Sequence, residues 1–165
     1  MRSEHLIGHT AAPSSRISAY KQGEFDELCG IYAIINSIRW SIRQHPLASK
    51  GPHWNNLFGV LNHYAVTELS NLTIASSGLG LNNMIWLVRT AQEHMLDVQK
   101  LTILTERLFA LGKPNHPNQI RENLFNYLSK SNSSALFALY GRINHWTVPT
   151  ALTHNKIKLF DSNHF

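Results

Sequence analysis

Residues 21–40, KQGEFDELCGIYAIINSIRW, contain the only cysteine of the 165-residue chain, Cys29, where an acidic turn with a glycine meets a helical pattern. Isoleucines recur at helical spacing after the cysteine, at Ile31, Ile34, Ile35, Ile38 and Ile42. We predict a central helix that starts at Cys29 and is ended by Pro46. Its polar side is expected to carry Asn36, Arg39 and Arg43. The cysteine at its start is either a small buried hydrophobe or a nucleophile.

Helical periodicity continues through the middle of the chain. We expect a second helix over about residues 54–68, a third from Asn82 or Asn83, either of which can cap it, and a fourth after Pro117. The spacing predicts the buried faces of the second and third helices: Trp54, Leu57, Phe58, Leu61 and Ala65, then Met84, Leu87 or Val88, Ala91 and Met95. After the third helix, residues 98–104 read as a short strand and residues 105–111 as a brief helix.

The last quarter of the chain has the apolar runs of β-strands, at residues 134–141, 145–152 and 156–162. Pro149 should bend the second run because proline gives no backbone N–H to a ladder. A turn at residues 154–155 would join the last two strands in an antiparallel meander. Helices followed by antiparallel strands indicate an α+β fold. We expect residues 1–18 to be an irregular N-terminal segment and residues 19–165 to form one domain.

The composition is that of a globular protein with few charges, since 43% of the residues are hydrophobic and 15% are charged. No apolar run approaches the roughly 18 residues of a membrane helix, and the N-terminus has no signal-peptide pattern. We therefore expect a cytoplasmic protein, or one delivered by a specialised secretion system, with no membrane partner. The net charge of +5 comes from scattered basic residues, so nucleic-acid binding is not expected either.

Two further residues could form a catalytic set with the lone cysteine. A thiol reacts as its thiolate, and an unperturbed cysteine keeps its proton below a pKa of roughly 8.5. A helix start and a nearby imidazolium both lower that value. His145 begins one predicted strand and Asp161 lies near the end of the next, so an antiparallel register centred near residue 153 can bring them together. There Asp161 would orient the imidazole of His145.

The segment QGEFDELCGIYAIIN resembles the nucleophile segment of papain-like cysteine peptidases, and NHWTV followed by KLFDS resembles their histidine strand and the strand after it. The short cysteine helix and the HWTV…LFDS ending look most like double-glycine leader peptidases and Josephin-type deubiquitinases. The resemblance covers about residues 20–45 and 134–162. It implies a papain-like fold in which an N-terminal helical part, with the nucleophile helix at its centre, packs on a C-terminal antiparallel sheet. It also implies a thiol protease that cleaves a peptide or isopeptide bond through a thioester.

The resemblance assigns a role to each residue of the set. Cys29 would attack the acyl carbon, His145 would accept and return the proton, and Asp161 would orient His145. Gln22 would donate to the oxyanion together with the backbone N–H of Cys29. Six residues separate Gln22 from Cys29, one more than in the papain pattern, and a bulge at Gly23 would absorb the difference.

Two neighbouring residues, Gly30 and Trp146, have two interpretations each. Gly30 would contact substrate or allow close packing, and Trp146 would shield the site and contact substrate or lie in the core. Asn163 is an alternative orienter of the histidine, although it lies beyond the strand end.

The same Cys–His–Asp set serves several reactions. It can hydrolyse a peptide or isopeptide bond, deamidate a glutamine side chain as a bacterial effector or toxin would, or transfer an acyl group to an amine. A non-catalytic binding module on the same scaffold is the remaining alternative. We expect a protein or peptide substrate, and an inhibitor or immunity protein would be a fitting partner. No cofactor is expected, and no metal site, because His145, His154 and His164 lack metal-binding spacing.

Overall fold

The computed structural model describes residues 17–21, 28–69, 79–109, 116–141, 144–153 and 156–161. Within these ranges, four α-helices precede four short strands. The helices are α1 Cys29–Ser41, α2 Gly51–Thr67, α3 Leu81–Gln99 and α4 Pro117–Leu128, with a 3₁₀ turn at Pro46–Ser49. The strands are β1 Phe137–Leu139, β2 His145–Thr147, β3 Pro149–Leu152 and β4 Ile157–Leu159. This order confirms the predicted α+β class. None of the described helices is both long enough and apolar enough to span a bilayer.

Helix α1 is the centre of the fold and packs against α2, α3 and β2. Its apolar side chains are buried in one hydrophobic cluster, among them Ile31, Ile34, Ile35 and Ile38. The predicted start at Cys29 is confirmed, but the helix ends at Ser41, before Pro46. Pro46 instead begins the 3₁₀ turn, where Nδ1 of His45 accepts a hydrogen bond of 3.2 Å from the backbone N–H of Leu47.

The predicted polar side of α1 is wrong for Asn36 and Arg39, which are buried with exposed fractions of 0% and 8%. The Asn36 amide accepts from the backbone N–H of Tyr20 at 2.6 Å and donates to the Tyr20 carbonyl at 3.2 Å. Arg39 donates through Nε to the carbonyl of Ala48 at 3.1 Å, and its guanidinium lies over the ring of Trp54. These contacts offset the cost of burying polar groups. Helix α1 is therefore enclosed on nearly all sides.

The predicted inner faces of the next two helices are confirmed except at Phe58, which is only half-buried where it packs against the core. Both bury every third or fourth residue, with Trp54, Leu57, Leu61 and Ala65 on α2 and Met84, Leu87, Ala91 and Met95 on α3. The predicted cap of α3 is wrong, because the helix begins at Leu81 and its N-cap is Gly80, which offers no side-chain hydrogen bond. Asn82 and Asn83 therefore lie inside the first turn.

The strand predicted at residues 98–104 is wrong. Helix α3 continues through Gln99 and ends where Lys100 adopts a left-handed conformation with a φ of 57°. Residues 101–107 have no regular structure, and Gln92 holds them to the helix by donating to the carbonyl of Ile103 at 2.7 Å. The apolar pattern arises because Leu101 and Ile103 pack against the core from an extended segment. Residues 105–109, the described part of the predicted brief helix, are not helical.

The strands form two antiparallel pairs, β1 with β2 and β3 with β4, where one continuous meander was predicted. Leu139 lies opposite His145 in the first pair, and Pro149 lies opposite Leu159 in the second. The bend predicted at Pro149 is confirmed, since this residue begins β3 and the β3–β4 register is irregular between Pro149 and Ala151. Strand β1 is half-buried. The turn predicted at residues 154–155 lies outside the described residues.

Candidate active site

Cys29 is the first residue of α1, and 8% of its surface is exposed. The preceding residue, Leu28, offers no side-chain cap, and its carbonyl accepts from the backbone N–H groups of Ile31 and Tyr32 at 2.9 and 3.2 Å. The thiol thus lies at the positive end of the helix dipole. Such a position favours the thiolate over the thiol.

His145 and Asp161 form a buried pair. Nε2 of His145 lies 2.9 Å from Oδ1 of Asp161, and the two side chains are 5% and 8% exposed. An ionised carboxylate can only accept hydrogen bonds, so Nε2 carries the proton of this bond. In the neutral ring the other nitrogen, Nδ1, is then the basic one.

The strand pairing explains why residues 16 positions apart meet. Strands β3 and β4 pair antiparallel, and beside this pairing the backbone N–H of Thr153 donates to the carbonyl of Lys156 at 2.8 Å. Past β4, the N–H of Phe160 donates to the carbonyl of Val148 at 2.8 Å, which extends the pairing beyond β3. The chain therefore returns alongside the end of β2, and Asp161 reaches the histidine there.

Thr147, which the sequence did not single out, also contacts the carboxylate. Its hydroxyl donates to Oδ2 of Asp161, and the residue is 1% exposed. Residues two apart in a strand share one face, so Thr147 lies on the same side of β2 as His145. This period of two places Thr147 on the face of His145, but it does not tell which donor meets the second oxygen of Asp161.

The cysteine and the histidine begin two elements that pack together. Helix α1, which starts with Cys29, contacts strand β2, which starts with His145. Trp146, next in the strand, belongs to the same apolar cluster as Cys29. The helix that begins with Cys29 thus packs on the strand that begins with His145, and His145 in turn binds Asp161.

Gly30 and Trp146 both have packing roles, which is one of the two interpretations predicted for each. A Cβ at Gly30 would lie 2.6 Å from Sδ of Met84 and 2.7 Å from Cδ1 of Leu79, so only glycine fits without a shift of its neighbours. Trp146 is 9% exposed and donates through Nε1 to the carbonyl of Leu79 at 2.6 Å. Both residues therefore join α1 and β2 to the start of α3.

A groove of about 1240 Å³ lies between α1, α3 and residues 101–109 and 130–138. Trp146 lines it, whereas Cys29, His145 and Asp161 are not among its lining residues. The chemistry of the candidate site therefore follows from the contacts of buried residues and not from this cavity.

Gln22 and Asn163, the predicted oxyanion donor and the alternative orienter, lie outside the described residues. Within the described ranges, no three His, Cys, Asp or Glu side chains are grouped so that they could hold a metal ion. Comparison with known proteins finds no matching family model, curated protein or solved structure.

Proposed function

We propose that this chain is a papain-like cysteine hydrolase that cleaves peptide or isopeptide bonds through a thioester on Cys29. The observation that carries the proposal is the buried His145–Asp161 hydrogen bond of 2.9 Å, on the strand that packs against the helix beginning with the only cysteine. The proposal is supported by the position of the thiol at a helix start and by an oriented imidazole on the strand that packs against that helix, since both features are used to activate cysteine nucleophiles.

The first half of the reaction forms the thioester. Nδ1 of His145 takes the thiol proton, and the Cys29 sulfur bonds to the acyl carbon. The carbonyl oxygen becomes an oxyanion, which the backbone N–H of Cys29 stabilises together with the side chain of Gln22 that the family resemblance implies. His145 then gives its proton to the leaving amine as the C–N bond breaks.

The second half of the reaction releases the acyl group. Water attacks the thioester carbon while His145 takes one of its protons, and the second oxyanion collapses with loss of the sulfur. The proton returns to the sulfur, so the resting enzyme is regenerated. Through both halves, Asp161 holds Nε2 of His145 and stabilises the positive charge that the ring gains twice per cycle.

Alkylation of Cys29 tests this proposal without a substrate. The chain has one cysteine, so the intact mass reports this residue alone. We would follow labelling by iodoacetamide from pH 4 to pH 10 in the wild type, in His145→Ala and in His94→Ala, a half-buried histidine of α3. The wild type and His94→Ala should label rapidly near pH 5 to 6. His145→Ala should require a pH close to the unperturbed thiol value of roughly 8.5.

Slow labelling with the same pH dependence in all three proteins would contradict the proposal. The non-catalytic binding module would then be the better description. If the wild type is activated as expected, incubation with protein substrates identifies the reaction. New amino termini or released isopeptide-linked chains indicate hydrolysis of a peptide or isopeptide bond, whereas ammonia without chain cleavage indicates glutamine deamidation.

A further inference from the structure

Both oxygens of the Asp161 carboxylate are held by side chains of strand β2. Oδ1 is 2.9 Å from Nε2 of His145, and Oδ2 accepts from the hydroxyl of Thr147. The two donors are two residues apart on one strand face, and both are buried, with exposed fractions of 6% and 1%. The carboxylate is thus fixed against a rigid strand at two points.

Donors on both oxygens fix the orientation of the Asp161 carboxylate, whereas a donor on one oxygen does not. Rotation of a carboxylate about its last side-chain bond is only weakly restricted, so a single partner leaves the direction of the second oxygen open. A donor on each oxygen sets the plane of the group and therefore the direction in which it pulls the imidazole. The hydroxyl also supplies a hydrogen bond to a buried anion, which lessens the cost of keeping that anion charged.

We infer that Thr147 is a positioning residue that orients Asp161 and, through it, the base His145; this inference rests on the proposed function. Without the hydroxyl, the carboxylate turns more readily, and the imidazolium that His145 forms in the proposed mechanism loses support. A hydrogen bond to a charged group contributes enough to change a rate by roughly tenfold or more. Removal of the donor should therefore slow labelling of Cys29 at pH 6 by roughly tenfold.

The test compares three threonine variants by the same labelling profile. Thr147→Val keeps the branched shape and removes the donor, whereas Thr147→Ser keeps the donor. Thr150→Val is the matched control, because Thr150 is a buried strand threonine whose hydroxyl donates to the Lys158 carbonyl at 3.1 Å and not to Asp161. We expect the Thr147→Val profile to move about one pH unit toward that of His145→Ala. Thr147→Ser and Thr150→Val should keep the wild-type profile.

If the Thr147 hydroxyl only stabilised the fold, its removal would lower the free energy of unfolding without shifting the pH profile of labelling. The inference is overturned if Thr147→Val labels as the wild type does, or if Thr150→Val shifts the profile equally. Should Thr147→Val not fold, Thr147→Ala gives the same comparison, and a wild-type profile there overturns the inference too. Failure of the proposed function looks different, since the wild type itself would then label like an unperturbed thiol.

Discussion

Replacing Asn36 by alanine removes the two hydrogen bonds that hold the segment before the cysteine against helix α1. The Asn36 amide is fully buried and binds both the N–H and the carbonyl of Tyr20, at 2.6 and 3.2 Å. A buried backbone group left without a partner costs about 1–3 kcal/mol. Tyr20 is half-buried, so water restores part of this loss. We expect Asn36→Ala to lower the free energy of unfolding by about 2–4 kcal/mol.

Urea unfolding followed by circular dichroism measures this loss. With a slope of about 2 kcal/mol per molar urea, the midpoint should fall by roughly 1–2 M. The matched control is Asn55→Ala, which changes an exposed asparagine of α2 whose side-chain oxygen accepts from the Tyr20 hydroxyl at 2.7 Å. Such a surface change should stay within about 0.5 kcal/mol of the wild type. Equal midpoints for the Asn36 and Asn55 variants would refute the reasoning.

Asn36→Asp adds a pH dependence with a definite sign. The ionised carboxylate can still accept from the Tyr20 N–H, but it cannot donate to the Tyr20 carbonyl, and its charge is buried. Once protonated, the introduced carboxyl can do both. Its pKa in the folded protein should therefore exceed the unfolded value of about 3.9. The stability deficit relative to the wild type should be smallest near pH 4 and should grow as the pH rises through the folded value.

Two further predictions concern packing and charge. Gly30→Ala should destabilise the fold by about 1–2 kcal/mol despite alanine's higher helix propensity, because its Cβ would lie 2.6 Å from Sδ of Met84. Gly59→Ala in α2 has no atom within 4 Å of the new Cβ and should stabilise by about 0.5–1 kcal/mol; a Gly30→Ala protein as stable as Gly59→Ala would contradict this account. Burial lowers the pKa of His94 below its ordinary value of 6.5, against the opposing pull of Asp97. The unfolded chain then binds more protons than the folded protein, so the free energy of unfolding should fall below about pH 6.5. Measured by urea unfolding, the free energy of unfolding of His94→Gln should decline less between about pH 8 and pH 5.5 than that of the wild type.

Periodicity predicted the faces of the helices well because each face depends on residues three or four apart. Leu57, Leu61, Leu87 and Ala91 are buried as their spacing indicated. The strand predicted at residues 98–104 is wrong because a short apolar run does not distinguish a strand from the end of a helix followed by an extended segment. Val98 lies in the last turn of α3 and is 52% exposed, whereas Leu101 and Ile103 pack on the core.

At the candidate site, too, the sequence predicts some features and only the tertiary structure shows the others. The sequence suggests Cys29, His145 and Asp161 as a set, because a lone cysteine begins a predicted helix and the other two lie on successive predicted strands. It could not supply the contact between Oδ2 of Asp161 and Thr147, because which donor meets the second oxygen depends on how the strands pair. The pairing in turn depends on the irregularity after Pro149 and on the bond between Phe160 and Val148.

The sequence by itself determined the α+β order, the apolar faces of the helices, the start of α1 at Cys29 and the bend at Pro149. These follow from spacing, from proline and from local hydrophobicity, which act over a few residues. Only the tertiary structure decided that Asn36 and Arg39 are buried and that Thr147 shares the carboxylate of Asp161. A polar side chain is buried or exposed according to whether the fold brings it a partner. For Asn36 and Asp161 those partners lie 14 to 16 residues away along the chain.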